Sequence, residues 1–190
     1  AWTPNTTDLP GRRYAYGAQP QVALWNLARL AGALRTLVGD DAALQQGLEG
    51  YRVAFRREYL ESFAAKLGLE ALDRDDDEAL LADLFRVLAA NSADMTLFFR
   101  SLAQVPCDAA ADAAALLTPL AIALPETAPE EGARRDLLDW LRRHGARVRA
   151  DARDALQRRA RMDAVNPLYV PRNWLAQQAI DAMAEGDGSV

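Results

Sequence analysis

Three residue types that carry much of enzyme chemistry are nearly missing from this chain: it holds one histidine, one cysteine and one lysine. His144 lies in "RRHGAR". As the sole histidine it excludes any two- or three-histidine metal site, and a His-based triad would have to use it. Gly145 after it predicts a helix end, where an imidazole meets the C-terminal dipole, and that structural placement is preferred to a catalytic one. Cys107 follows Pro106 with no base beside it in sequence. A lone cysteine can form neither an internal disulfide nor a thiolate metal cluster, and it fits a reducing compartment such as the cytoplasm. Lys66 sits on a helical stretch instead of following a phosphate loop, and the eleven glycines are scattered without "GxGxxG" or "GxxxxGK[ST]". The acidic run "DRDDDE" at 73–78 lacks the alternating ligands, central glycine and distal glutamate of a calcium loop. It reads instead as acids crowding the first turn of the next helix. With 27 acids in the chain, no carboxylate pair stands out. The residues by themselves assign no catalytic, cofactor-binding or metal-binding position, and they describe a scaffold.

That scaffold has the composition of a globular protein, 51% hydrophobic and 26% charged, and 190 residues suffice for one domain with a real core. No apolar run approaches the roughly 18 residues that span a bilayer, and "AWTPNTTDLPGRRY" has no signal-peptide core. The net charge of −5 argues against bulk nucleic-acid binding. Charge is unevenly placed: seven acids face two arginines over 68–90, and eleven arginines face five acids over 134–172. The arginine-rich region reads as a solvated helical face, with a partner surface as the alternative.

The elements are helical throughout. Residues 1–20 carry Pro4, Pro10, Gly11, Gly17 and Pro20, spaced so that neither helix nor long strand persists. From Gln21 the stripe Leu27, Leu30, Leu34 and Leu37 has helical period and ends at Gly39. A second helix over 41–67 repeats aromatics every four residues at Tyr51, Phe55, Tyr59 and Phe63, a column expected in the core. A third over 77–90 carries Leu80, Leu81, Leu84, Phe85 and Leu88, and "NSAD" offers Asn91 or Ser92 as the N-cap of a fourth running to Ala103, with Asp94 placed to meet its first-turn amides. The alanine-rich 108–123 is expected to be helical and buried, interrupted at Pro119. "ALPETAPEEG" at 123–132 is a possible linker, and helices follow over 133–149, over 151–163 and after Pro171.

At both ends the sequence is similar to the selenoprotein O family. "PNTTDLPGRRYAYGAQPQVALWNLARLAGAL" resembles that family's "PNxSDxxGRYxYxxQPxxxxWNLxRLAxxL", and "VNPLYVPRNWLAQQAIDAMAEGD" resembles "VNPxxxxRNxLxxxAIxAxxxGD". "KLGL" at 66–69, "LLADLF" at 80–85 and "DMTLFFRSL" at 94–102 fall between them in the family's order. The resemblance implies a mainly α-helical piece, the C-lobe and C-terminal helical extension of a kinase-like (pseudokinase) fold. It implies a protein adenylyltransferase that moves AMP from ATP, with Mg²⁺ or Mn²⁺, to Ser, Thr or Tyr hydroxyls of other proteins. The family's phosphate-gripping, base and metal-binding residues lie upstream of the matched segment, so none is carried onto a position here. The isolated piece is then expected to be inactive, to bind no cofactor, and to partner the remainder of the kinase-like domain.

What the resemblance does place is context. Residues 1–20 correspond to the stretch after the metal-binding loop, with 21–190 as the helical domain. Asp8, Arg12 and Arg13 become the residues nearest the implied site, in structural support or in substrate contact. Some members carry a redox pair of cysteines that this chain does not match, having Trp2 and Thr3 in one region and ending at Val190. Asn166, Arg172, Asn173 and Trp174 read as a clasp holding the last helix, with Leu175, Ala179 and Ile180 packed inward. A free-standing, non-catalytic helical interaction module is the alternative.

Overall fold

The computed structural model describes residues 13, 15–126, 132–151 and 154–189. They are mainly helical, with no strand among the described residues. The chain divides into two compact units, Ala1–Ala64 and Ala65–Val190. Residues 127–131 of the linker candidate lie outside the described set.

In the first unit a short 3₁₀ turn, Tyr16–Ala18, leads into α1, Gln19–Val38, with Pro20 in its first turn, where no intrahelical amide is needed. Gly39 closes α1 in the left-handed region (φ +65°), its amide reaching the Arg35 carbonyl at 3.0 Å. Asp40 then caps α2, Asp41–Leu67, accepting the amides of Ala42 and Ala43 at 2.9 and 3.1 Å. Arg35 grips Asp41 with two bonds of 2.8 and 2.5 Å across the turn. The leucine stripe is helical as its spacing predicts, but α1 buries no residue: Leu30 is 54% exposed and Leu37 82%. The aromatic column is likewise a half-exposed ladder, its successive ring centroids 6.0, 5.9 and 4.7 Å apart, the first pair stacked and the next two tilted, in place of the expected core.

The core belongs to the second unit, which holds the last three residues of α2 and then α3 (Asp77–Ala90), α4 (Met95–Leu102), α5 (Ala113–Leu117), a 3₁₀ segment (Thr118–Ala123), α6 (Ala133–Ala150), α7 (Ala155–Val165) and α8 (Asn173–Ala184). α3 packs along α6, and α4 against the 3₁₀ segment. Leu84, Phe98, Leu102, Leu120, Leu137, Trp140 and Met162 are fully buried. Pro119 does break the alanine-rich stretch, yet the result is one short α-helix and a 3₁₀ segment, of which Leu116, Leu120 and Ala123 are buried. Asp94, not Asn91 or Ser92, is the cap of α4; its carboxylate accepts the Leu97 amide at 3.0 Å. Asn91 instead ends α3, buried, its amide donating to the carbonyls of Val87 and Ala133 at 2.9 Å each.

Helix α6 follows the span expected over 133–149 and runs through Gly145, against the helix end that this glycine suggests. It continues to Ala150 because Trp140, Leu141, His144 and Val148 line one buried face, and that burial outweighs the roughly 1 kcal/mol by which a mid-helix glycine disfavours the helix. α7 begins at Ala155 because Asp154 caps it, accepting the Gln157 amide at 2.9 Å.

Candidate functional site

His144 is therefore mid-helix and buried. Its ring stacks almost parallel on Trp140, centroids 5.2 Å apart, and Nε2 lies 2.9 Å from the Leu67 carbonyl. Burial pushes its pKa down to about 4 against the opposing pull of that carbonyl, and the nearby Arg158 cation lowers it further. A neutral ring must donate Nε2–H to a carbonyl, which fixes the tautomer. The imidazole closes the end of α2, its hydrogen bond among the described residues going to that backbone carbonyl.

Cys107 is half-buried, its thiol 3.9 Å from the Val105 carbonyl. Burial raises its pKa while Arg158 and Arg149 pull the other way, and the net shift is upward. It stays a thiol at neutral pH. The acids of 73–78 divide: Asp77 opens α3 but is buried, and its role goes beyond the dipole effect of a first-turn acid. Arg147 of α6 binds Asp77 at 2.8 and 3.2 Å, donates to the Ala71 carbonyl at 2.8 Å and bonds Asp151 one turn on. Asp151 also accepts the Glu70 amide at 2.8 Å and a bond from Arg74 at 3.1 Å. Burial opposes ionisation of Asp77, but the Arg147 and Arg74 hydrogen bonds overcome it and hold the carboxyl below its ordinary value. This network is missing from the sequence reading; the i,i+4 spacing of Arg147 and Asp151 was its only local signal.

Asn166 is buried, and a hundred residues separate it from its partner: its side-chain amide donates to the Lys66 carbonyl at 3.0 Å, while Lys66 Nζ lies 3.3 Å from its Oδ1 and 3.4 Å from the Val165 carbonyl. Arg100 adds bonds to the carbonyls of Asp163 and Asn166 at 2.8 and 3.1 Å. Arg172 pairs with Asp94 at 2.9 Å. Burial works against the Asp94 carboxylate, but the Leu97 amide and Arg172 together keep its pKa below the ordinary value. Asn173 begins α8, exposed, and Trp174 is 60% exposed. Leu175 and Ile180, expected to face inward, are exposed at 45% and 60%, and α8 buries no residue. Of the clasp residues, only Asn166 and Arg172 engage distant parts of this unit through described bonds.

Asp8 and Arg12 lie outside the described residues. Arg13 places its guanidinium 4.3 Å from the centre of the Trp25 ring, a cation–π contact. Among the described residues no group of three or more His, Cys, Asp or Glu side chains could hold a metal ion, and no helix is long and apolar enough to cross a membrane.

A family model described as protein adenylyltransferase SelO matches residues 1–189. The chain belongs to the SelO family. Its relatives include proteins named protein nucleotidyltransferase YdiU: that of Nitrosospira multiformis is 43% identical over 214 residues, covering 100% of this chain and 37% of the relative. The counterpart from Azoarcus sp. is 47% identical over 190 residues, covering 98% and 35%, and that from Rhodopirellula baltica is 43% identical over 200 residues, covering 100% and 37%. The chain spans little more than a third of the length of these SelO relatives. The buried networks around Arg147 and Asn166 are thus features of one part of a longer family fold.

Proposed function

We propose that these residues form the C-terminal helical part of a protein adenylyltransferase, the C-lobe and helical extension of a kinase-like fold. The observation that carries this reading is the family match along 1–189, joined to relatives of which the chain covers 35–37%. ATP with Mg²⁺ or Mn²⁺ would supply the AMP group, and protein Ser, Thr or Tyr hydroxyls would accept it in the cytoplasm. In this reading the metal is held by residues upstream of the matched segment, and no catalytic step is assigned to the described ones. Their part is to hold the helical unit that the remainder of the kinase-like domain uses, with Asp8, Arg12 and Arg13 nearest the reacting groups.

Parallel assays with ATP labelled at the α- or γ-phosphate, on a polypeptide of the relatives' full length, test the reaction. Label should pass to protein from the α-position only; transfer from the γ-position would make it a kinase and refute the reading. Calorimetric titration of the 190-residue chain with Mg-ATP tests the division of labour. Saturable one-to-one binding that excess inorganic phosphate does not displace would place a nucleotide pocket among these helices and overturn it.

A further inference from the structure

In the second unit Arg158 is a buried cation with no ion pair among the described residues. Arg158 of α7 is 6% exposed, and among the described residues its hydrogen-bond partner is the Met162 thioether, 3.1 Å from Nη1. A guanidinium carries five N–H donors and is costly to bury without an anion, whereas a thioether is a weak acceptor. No side-chain polar atom sealed from solvent among the described residues lacks a partner, so the N–H groups of Arg158 without one open outward. Arg158 lines a groove of about 690 Å³, whose walls include Val105, Cys107, Asp108, Arg149 and Arg159.

The groove is basic on balance. Arg149 is held in place by donating to the Cys107 carbonyl, and Arg159 is half-exposed with a loose 3.8 Å contact to Asp163. Asp108 contributes the opposing charge, but its carboxylate is turned to its own chain, accepting the Ala110 amide at 2.9 Å. The first turn of α7 shares the wall, its N-terminal partial charge offset by the Asp154 cap. Arg158 is also fixed in position: an added Cβ on Gly68 would stand 2.9 Å from its Cγ, so the stem lies against that glycine's backbone. Its field reaches both His144 and Cys107, lowering the pKa of each group's proton-bound form.

We propose that this groove is a binding site for a small phosphate-type oxyanion, with Arg158 as its buried anchor and Arg149 and Arg159 at its rim. Three guanidinium groups against one diverted carboxylate suit a dianion, and planar N–H forks match tetrahedral oxygens in pairs. The site is independent of the nucleotide chemistry assigned to the family.

The test is a titration of the 190-residue chain with inorganic phosphate, at constant ionic strength made up with chloride, read by unfolding midpoint and by ³¹P line width. The wild type should show saturable broadening and a midpoint raised by a few degrees at about 10 mM phosphate. Arg149→Gln and Arg159→Gln, both on the rim, should each weaken apparent affinity by at least about fivefold. Arg158→Met should abolish the phosphate response while being no less stable than wild type in phosphate-free buffer, since it removes a desolvated charge and keeps the stem. Should Arg158→Met fail to fold, the rim variants still decide. Absence of saturation, or rim variants that bind as wild type does, would overturn the site. So would loss of the phosphate response in a polypeptide of the relatives' full length, which would make the occupant a carboxylate of that polypeptide.

Discussion

Acidification from pH 7 to pH 4.5 isolates the contribution of His144, because the depressed carboxylates of Asp77, Asp83 and Asp94 titrate below that range. The folded ring has a pKa of about 4 against an ordinary 6.5. Between those values the unfolded chain binds a proton that the folded chain refuses, so stability falls as pH falls through this window and is fully regained above it. The separation corresponds to about 3 kcal/mol, with a slope approaching 1.4 kcal/mol per pH unit near pH 5. That is a large part of the 5–15 kcal/mol typical of a domain. Urea unfolding followed by circular dichroism at half-unit pH steps measures it. His144→Gln is the control: its amide can still donate toward the Leu67 carbonyl but does not titrate, so its stability should stay nearly flat from pH 7 to 4.5. Parallel pH profiles for wild type and variant would refute the assignment of a buried neutral imidazole.

Other perturbations have signs set by the same geometry. Asp77→Asn leaves Arg147, only 9% exposed, short of a full partner and should cost about 3–5 kcal/mol in urea unfolding. The double variant Asp77→Asn/Arg147→Met should recover part of that loss. Asp94→Ala removes both the α4 cap and the Arg172 pair, and is expected to lower stability by about 1–2 kcal/mol. Two glycines should respond in opposite directions. Gly68→Ala places a Cβ 2.5 Å from Met162 Sδ at φ +70° and should destabilise, whereas Gly47→Ala meets nothing within 4 Å in a helix interior and should add about 0.5–1 kcal/mol.

Helix existence was legible where spacing and caps agreed. Met95, Phe98, Phe99 and Leu102 with Asp94 ahead of them specify α4 locally, and Leu80, Leu84 and Leu88 do the same for α3. Burial was not legible from period alone: the stripe of α1 has the right spacing and stays exposed, and the ladder on α2 is only half-buried. Gly145 misled because a glycine after basic residues resembles a helix stop, while packing of Trp140 and His144 decides the matter from outside the local sequence. Arg147 and Asp77 are 70 residues apart, and Asn166 and Lys66 are 100 apart, so no window of sequence could reveal either pairing. The family motifs did mark Asn166, but as a pattern to be matched, with no indication of what it bonds.

The bond from Asn166 to the Lys66 carbonyl also sets a timetable. Residues are added at about 5–20 per second during synthesis, so the end of α2 leaves the ribosome roughly 5–20 s before its partner exists. His144 arrives sooner, but it too is 77 residues downstream of the Leu67 carbonyl it satisfies. For that interval the carbonyls at 66 and 67 have only water, and Leu67, later fully covered, lacks the segments that cover it. The end of α2 is therefore sealed late, after the α3–α6 core residues have been made, and its closure depends on the last quarter of the chain.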